Sequence, residues 1–144
     1  MNHDTRERTL DRRLRDCPPC EPTRGQKMII EAAVKLGHEA GLRIPTPPPI
    51  LTVAGPRDGI QGGEFEFEEG RRSQFRIWVN VGDAVMPERL FWSTSHELKH
   101  LDDCVRGLPY DEKIWDDRAI AYAARASERW RRMQWLFAME RRSR

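Results

Sequence analysis

The chain has no apolar run near the roughly 20 residues that a membrane-spanning helix needs, so no span and no membrane partner is expected. Its opening, Met1 to Asp16, is charged throughout and lacks the apolar middle of a secretory leader. Export by a conventional signal is therefore not expected, and the cytoplasm is the expected location. Cysteine is scarce and odd in number, at three, which is poor material for a disulfide framework. Neither sign of charge dominates: 25 Lys and Arg against 23 Asp and Glu leave +2. A nonspecific nucleic-acid binder concentrates its cations in a stripe. Nucleic acid is thus not an expected partner, although residues 6–15 and 129–144 are arginine-rich. Arg131-Arg132 and Arg141-Arg142-Ser143-Arg144 are more simply a solvated helix end whose cations suit the helix dipole. There are no internal repeats.

What remains is enough for one domain. A chain of 144 residues can bury a core without staples. Charge is dense in residues 1–16 and 128–144, whereas the middle reads as globular. The expected organisation is a charged, loosely held segment over 1–22 followed by a single domain over 23–144.

Thr23-Arg24-Gly25-Gln26 has capping-box spacing, and Met28, Ile29, Ala32, Ala33 and Leu36 follow at helical spacing, with Gly37 and Gly41 as stops. The prolines between Pro45 and Pro49 make an extended connector. Three strands are expected: Ile50 to Ala54, the strictly alternating Glu64 to Glu68, and Phe75 to Val81, which is aromatic and β-branched. Pro87 suits the first turn of a helix running to Val105, with Leu90, Phe91, Leu98, Leu101 and Val105 as its apolar stripe. Gly107 and Pro109 end it. A last helix runs from about Asp111 to near Arg142, with Trp115, Ala119, Ile120, Ala123, Ala126, Trp130 and Phe137 on one face.

His96-Glu97-Leu98-Lys99-His100 is an H-E-x-x-H pattern. On a helix, positions i and i+4 stand one turn apart on one face, so both imidazoles can reach one ion. Glu97 lies about 100° round the helix from the first histidine, placed to accept a proton from water without ligating the ion. Zinc lowers the pKa of bound water from about 15.7 to about 7, which makes hydroxide available at neutral pH. A pair of surface histidines is the plain alternative; the strand before the motif and the helices around and after it favour a Zn2+ site.

These residues resemble the zincin metallopeptidases, more narrowly the small gluzincin-like kind of the ImmA/IrrE type. The resemblance rests on His96 to His100, the preceding strand Ile77 to Val81, and Trp115-Asp116-Asp117-Arg118-Ala119. It implies an α+β, zincin-like fold: an N-terminal helix, a small twisted sheet of two or three strands, the H-E-x-x-H helix and a long C-terminal helix. It also implies hydrolysis of a peptide bond in a protein or peptide substrate, with Glu97 as general base. In that family a glutamate on the next helix, in an E-x-x-A setting, is the third ligand. Asp116 stands three before Ala119 and takes that place, a methylene shorter, while Ala119 and Ala123 permit a closer helix. Asp117 is the fallback. Asp103, three beyond His100, is more simply a supporting carboxylate that takes an imidazole N–H. The metzincin pattern is excluded, since Asp103 occupies its glycine position and no histidine follows.

Tyr110, between the last two helices, is a candidate oxyanion stabiliser. The strand Phe75 to Val81 is a candidate edge to which an extended substrate adds. His38 and Glu39 read as solvated or helix-packing residues. Cys17-Pro18-Pro19-Cys20 has C-x-x-C spacing but no second pair to complete a zinc site, and Cys104 reads as a small core residue. Trp130 and Trp135 are core or partner-facing. The rival reading is a non-enzymatic module that binds a protein partner on the same scaffold.

Overall fold

The computed structural model describes residues 13–55, 61–68, 70–82 and 85–142. Helix α1 (Arg24–Glu39) begins at the expected capping box. The Gln26 backbone N–H donates to Thr23 Oγ1 at 3.1 Å, and the Thr23 N–H donates to Gln26 Oε1 at 2.9 Å. Those two bonds satisfy amides that the first helical turn leaves without partners. The chain leaves α1 through Gly41, whose φ of 85° is open to glycine at little steric cost. Gly37 is no stop: it lies inside the helix, tight against Ile44.

Strands β1 (Ile50–Val53), β2 (Gly63–Glu68) and β3 (Arg71–Asn80) form one mixed sheet in the order β1-β3-β2. β1 runs parallel to β3, and β2 runs antiparallel to it. Helices α2 (Pro87–Val105) and α3 (Glu112–Arg142) follow. The architecture is α+β, with helices over one face of the sheet.

The alternation of β3 explains the layering. Ile77, Val79 and Val81 point into the main core beside Leu90, Phe91 and Leu98 of α2 and Leu36 of α1. Trp78 points the other way, into a second cluster with Leu14, Cys17 and Val53. A strand that is apolar on both faces is covered on both faces. Phe75 to Val81 is accordingly the centre of the sheet and not its edge, which corrects the expectation drawn from its sequence. Of the two true edges, β1 is bordered by Pro18–Cys20: the Cys20 N–H donates to the Thr52 carbonyl, and the Ala54 N–H to that of Pro18. Among the described residues no strand pairs with the outer edge of β2.

The described part of the N-terminal segment is held down. Leu14, in a single 3-10 turn (Leu14–Asp16), is fully buried, its N–H donates to Glu64, and Arg15 pairs with Glu64 and Glu66. Residues 1–12 lie outside the described residues. Cys17, Cys20 and Cys104 are free thiols.

Leu14→Ala is expected to destabilise the protein by about 2–5 kcal/mol, because it empties a fully enclosed site beneath the sheet. Urea unfolding measures it; a midpoint unchanged from the parent means the segment is not part of the folded unit in solution.

Candidate metal centre

Pro87 opens α2, whose inward stripe of Leu90, Phe91, Leu98 and Leu101 pins it to the sheet. The same rotation brings His96 and Glu97 inside and leaves His100 half-buried at the floor of a cleft of about 850 Å³. β2 forms one lip of the cleft with Gly63, Glu64, Phe65 and Phe67; Tyr110 to Lys113, with Trp115 and Asp116, forms the other.

His96, His100 and Asp116 come together there. His96 Nε2 lies 3.1 Å from His100 Nε2 and 3.1 Å from Asp116 Oδ1, and His100 Nε2 lies 3.9 Å from that oxygen. Three atoms so spaced share a centre about 2.0 Å from each, the length of a zinc–nitrogen or zinc–oxygen bond. Two imidazoles and one carboxylate make a donor set that suits a divalent ion. Asp117 is exposed and outside this cluster.

Charge also suits a cation. Burial lowers the pKa of His96, and burial reinforced by His96 takes His100 down to about 4. Both rings are therefore neutral at neutral pH, each with a lone pair to offer. Glu97 is pushed up to about 8, chiefly by burial and then by the nearby carboxylates of Glu64 and Asp116. Its Oε1 is 4.0 Å from His96 Nε2, near the cluster without belonging to it. Burial likewise raises Glu64, against the opposing pull of Arg15. Three carboxyl groups crowd one cleft floor, a repulsion that a bound cation relieves.

Several contributors went unread in the sequence. Gly62 and Gly63 let the start of β2 lie directly on α2: a Cβ on Gly63 would sit 2.7 Å from Glu97 Cγ, and one on Gly62 would overlap Ser93 Oγ. A Gly-Gly pair opening an alternating strand is the available signal, since glycine there marks close backbone approach. Trp92, one turn before His96, stacks on its ring at 4.9 Å. That stacking holds the imidazole where a hydrogen bond usually does, for His96 Nδ1 is buried with no partner among the described residues.

Asp103 does not meet an imidazole. It is fully buried and takes two hydrogen bonds from Arg118, at 2.9 and 3.0 Å, with Lys99 Nζ at 3.3 Å. Tyr110 lines the cleft, half exposed, its ring edge-on to Phe67 at 5.3 Å and to Trp115 at 5.2 Å. His38 is exposed and Glu39 pairs with Arg129 at 2.9 Å, as helix-packing residues do. No family model, curated protein or solved structure matches the chain.

The Glu97 shift has a thermodynamic consequence in metal-free protein. With its folded pKa near 8 against 4.5, the folded chain holds the extra proton between those values, so its contribution to stability falls as pH rises through them. His100, about 4 against 6.5, acts oppositely: its contribution is lost as pH drops below 6.5. Glu97→Gln removes only the first effect. In chelator-treated samples the variant's melting temperature is expected to gain on the parent's as pH rises from about 4.5 to about 8. A difference that stays flat across that window contradicts a buried, proton-holding Glu97.

Proposed function

We propose that the protein is a zinc-dependent metallopeptidase of zincin-like organisation, with His96, His100 and Asp116 as ligands and Glu97 as general base. The observation that carries this reading is the convergence of two neutral imidazoles and a carboxylate oxygen beside a buried glutamate, at the floor of an open cleft. A purely structural ion has no use for that glutamate.

Zinc held by these side chains would supply Lewis acidity toward a peptide carbonyl and toward water, and would favour the ionised form of Glu97. Glu97 takes the proton of the attacking water as its oxygen bonds to the carbonyl carbon. It returns that proton to the amine nitrogen as the carbon–nitrogen bond breaks. A group whose proton affinity is already raised by burial and by Glu64 suits both halves of the transfer. Tyr110 lines the cleft, and in this reading its hydroxyl donates to the oxygen on which charge develops. In this reading an extended peptide adds along β2, whose outer edge pairs with no strand among the described residues and whose Gly63 lies against Glu97.

Purification without chelator is expected to yield about one zinc per chain by elemental analysis, and added zinc to raise the melting temperature by linkage. Asp116→Ala should lower zinc affinity sharply, while Asp117→Ala, about 100° round the helix, should change it little. Glu97→Gln should keep the zinc and lose about 10²- to 10⁴-fold in peptide hydrolysis. Zinc retained in Asp116→Ala sinks the ligand assignment. Equal hydrolysis in Glu97→Gln sinks the mechanism and leaves a partner-binding module as the surviving reading.

A further inference from the structure

The stripe that packs α3 onto the body does not stop where the body does. Trp115, Ala119, Ala123, Ala126 and Trp130 are buried, the last stacked on Phe91 at 4.6 Å. From Arg131 to Arg142 every residue is exposed, so the helix runs on alone for roughly 18 Å. That stretch is not polar. Met133, Trp135, Leu136, Phe137 and Met139 are 42%, 62%, 59%, 62% and 46% exposed.

At about 100° per residue these five span an arc of roughly 200°, and Arg131, Gln134, Ala138, Arg141 and Arg142 fill the remainder. Within the arc Arg132 and Glu140 flank Leu136, each about 40° from the centre. Aromatic and long aliphatic side chains thus face one way, while arginines line the opposite face and bracket both ends.

We propose that this end of α3 is an interfacial helix that docks the protein on an anionic phospholipid surface, lying in the headgroup plane and not spanning it. An apolar face opposite arginines is the pattern of helices that lie on membranes. Arginine attracts anionic headgroups. A second copy meets like charges in two of its pairings, although an antiparallel one centred on Leu136 sets Arg132 against Glu140. Antiparallel pairing centred between Leu136 and Phe137 sets Arg131 and Arg132 against Arg142 and Arg141, and parallel pairing sets each against itself. A nucleic acid would engage the arginines and leave the aromatic face in water.

The test is flotation of the full chain with vesicles of phosphatidylcholine alone, or with about one-third phosphatidylglycerol, at low and high salt. Binding to the anionic vesicles is expected to be at least about tenfold tighter than to the neutral ones and to weaken with salt. Trp135→Ser with Phe137→Ser should abolish it, and Arg131→Glu with Arg142→Glu should weaken it at least about tenfold. All four residues are exposed, so both variants should melt as the parent does. Equal binding to both vesicles, no binding to either, or unchanged binding by the serine variant overturns the proposal. So does a dimer in solution that the serine variant dissolves, which assigns the face to a second copy.

Discussion

The candidate site depends on one electrostatic contact, that between the buried Asp103 on α2 and the exposed Arg118 on α3. Asp103 is wholly removed from water, and an uncompensated charge there would be expensive. The bidentate Arg118 hydrogen bonds, with Lys99 on the other side, compensate it. The two-pronged contact favours one register of α3 against α2. Arg118 stands two residues beyond Asp116, and Asp103 three beyond His100. The clamp therefore fixes the separation between the histidine helix and the carboxylate helix at the level where their donor atoms meet. Asp102 does similar work on the other side, accepting from the Arg43 N–H, Arg106 and Lys99, and so ties the connector after α1 to α2. These contacts draw its carboxyl below the usual range, although burial pulls the other way.

The second constraint is the approach of the sheet. Gly62 and Gly63 bring backbone against Ser93 and Glu97, one helical turn apart, and no side chain larger than hydrogen fits without displacement. Phe65 and Phe67 continue that face, stacking toward His100 at 6.1 Å and Trp115 at 5.4 Å. Arg72 sits over Phe67 and Trp115 and donates to the Leu108 carbonyl, which ties the far lip of the cleft to β3. Asn80, buried at the end of β3, accepts from the Gly55 and Gly82 N–H groups and donates to the Gln61 carbonyl. One amide side chain thereby gathers both ends of the β1–β2 connection and the segment after β3 beside the glycine pair.

Periodicity and punctuation made most of the elements legible. The capping box at Thr23 and the proline at position 87 marked both helix starts, because each encodes a local backbone requirement. The i, i+4 histidines were legible for the same reason. Long-range facts were not. That β3 is central follows from covering both its faces, and its second cover, Leu14, lies in a segment whose charge suggested a loose tail. Ile120, Phe137 and Val105 share the periodic faces of their helices yet are 44%, 62% and 37% exposed. A helical period reveals which residues share a face, not whether anything covers it. The role of Arg118 was equally hidden, since an ion pair between helices leaves no local spacing to read.

Asp116 in a position where a glutamate is the longer-reaching choice shows how these constraints combine. A side chain shorter by one methylene brings its oxygen to the imidazoles only if the helices themselves come closer. Ala119 and Ala123 are fully buried on the facing stripe of α3, so no bulk holds the helices apart. Trp115, one residue before Asp116, is buried against Phe67, and its indole N–H donates to the Pro109 carbonyl, which fixes the start of the helix. A short side chain has few rotamers with which to correct an error of backbone position. The precision of the donor triangle is therefore set by helix packing: small residues permit the approach, the tryptophan anchors the end, and the Asp103–Arg118 clamp fixes the register.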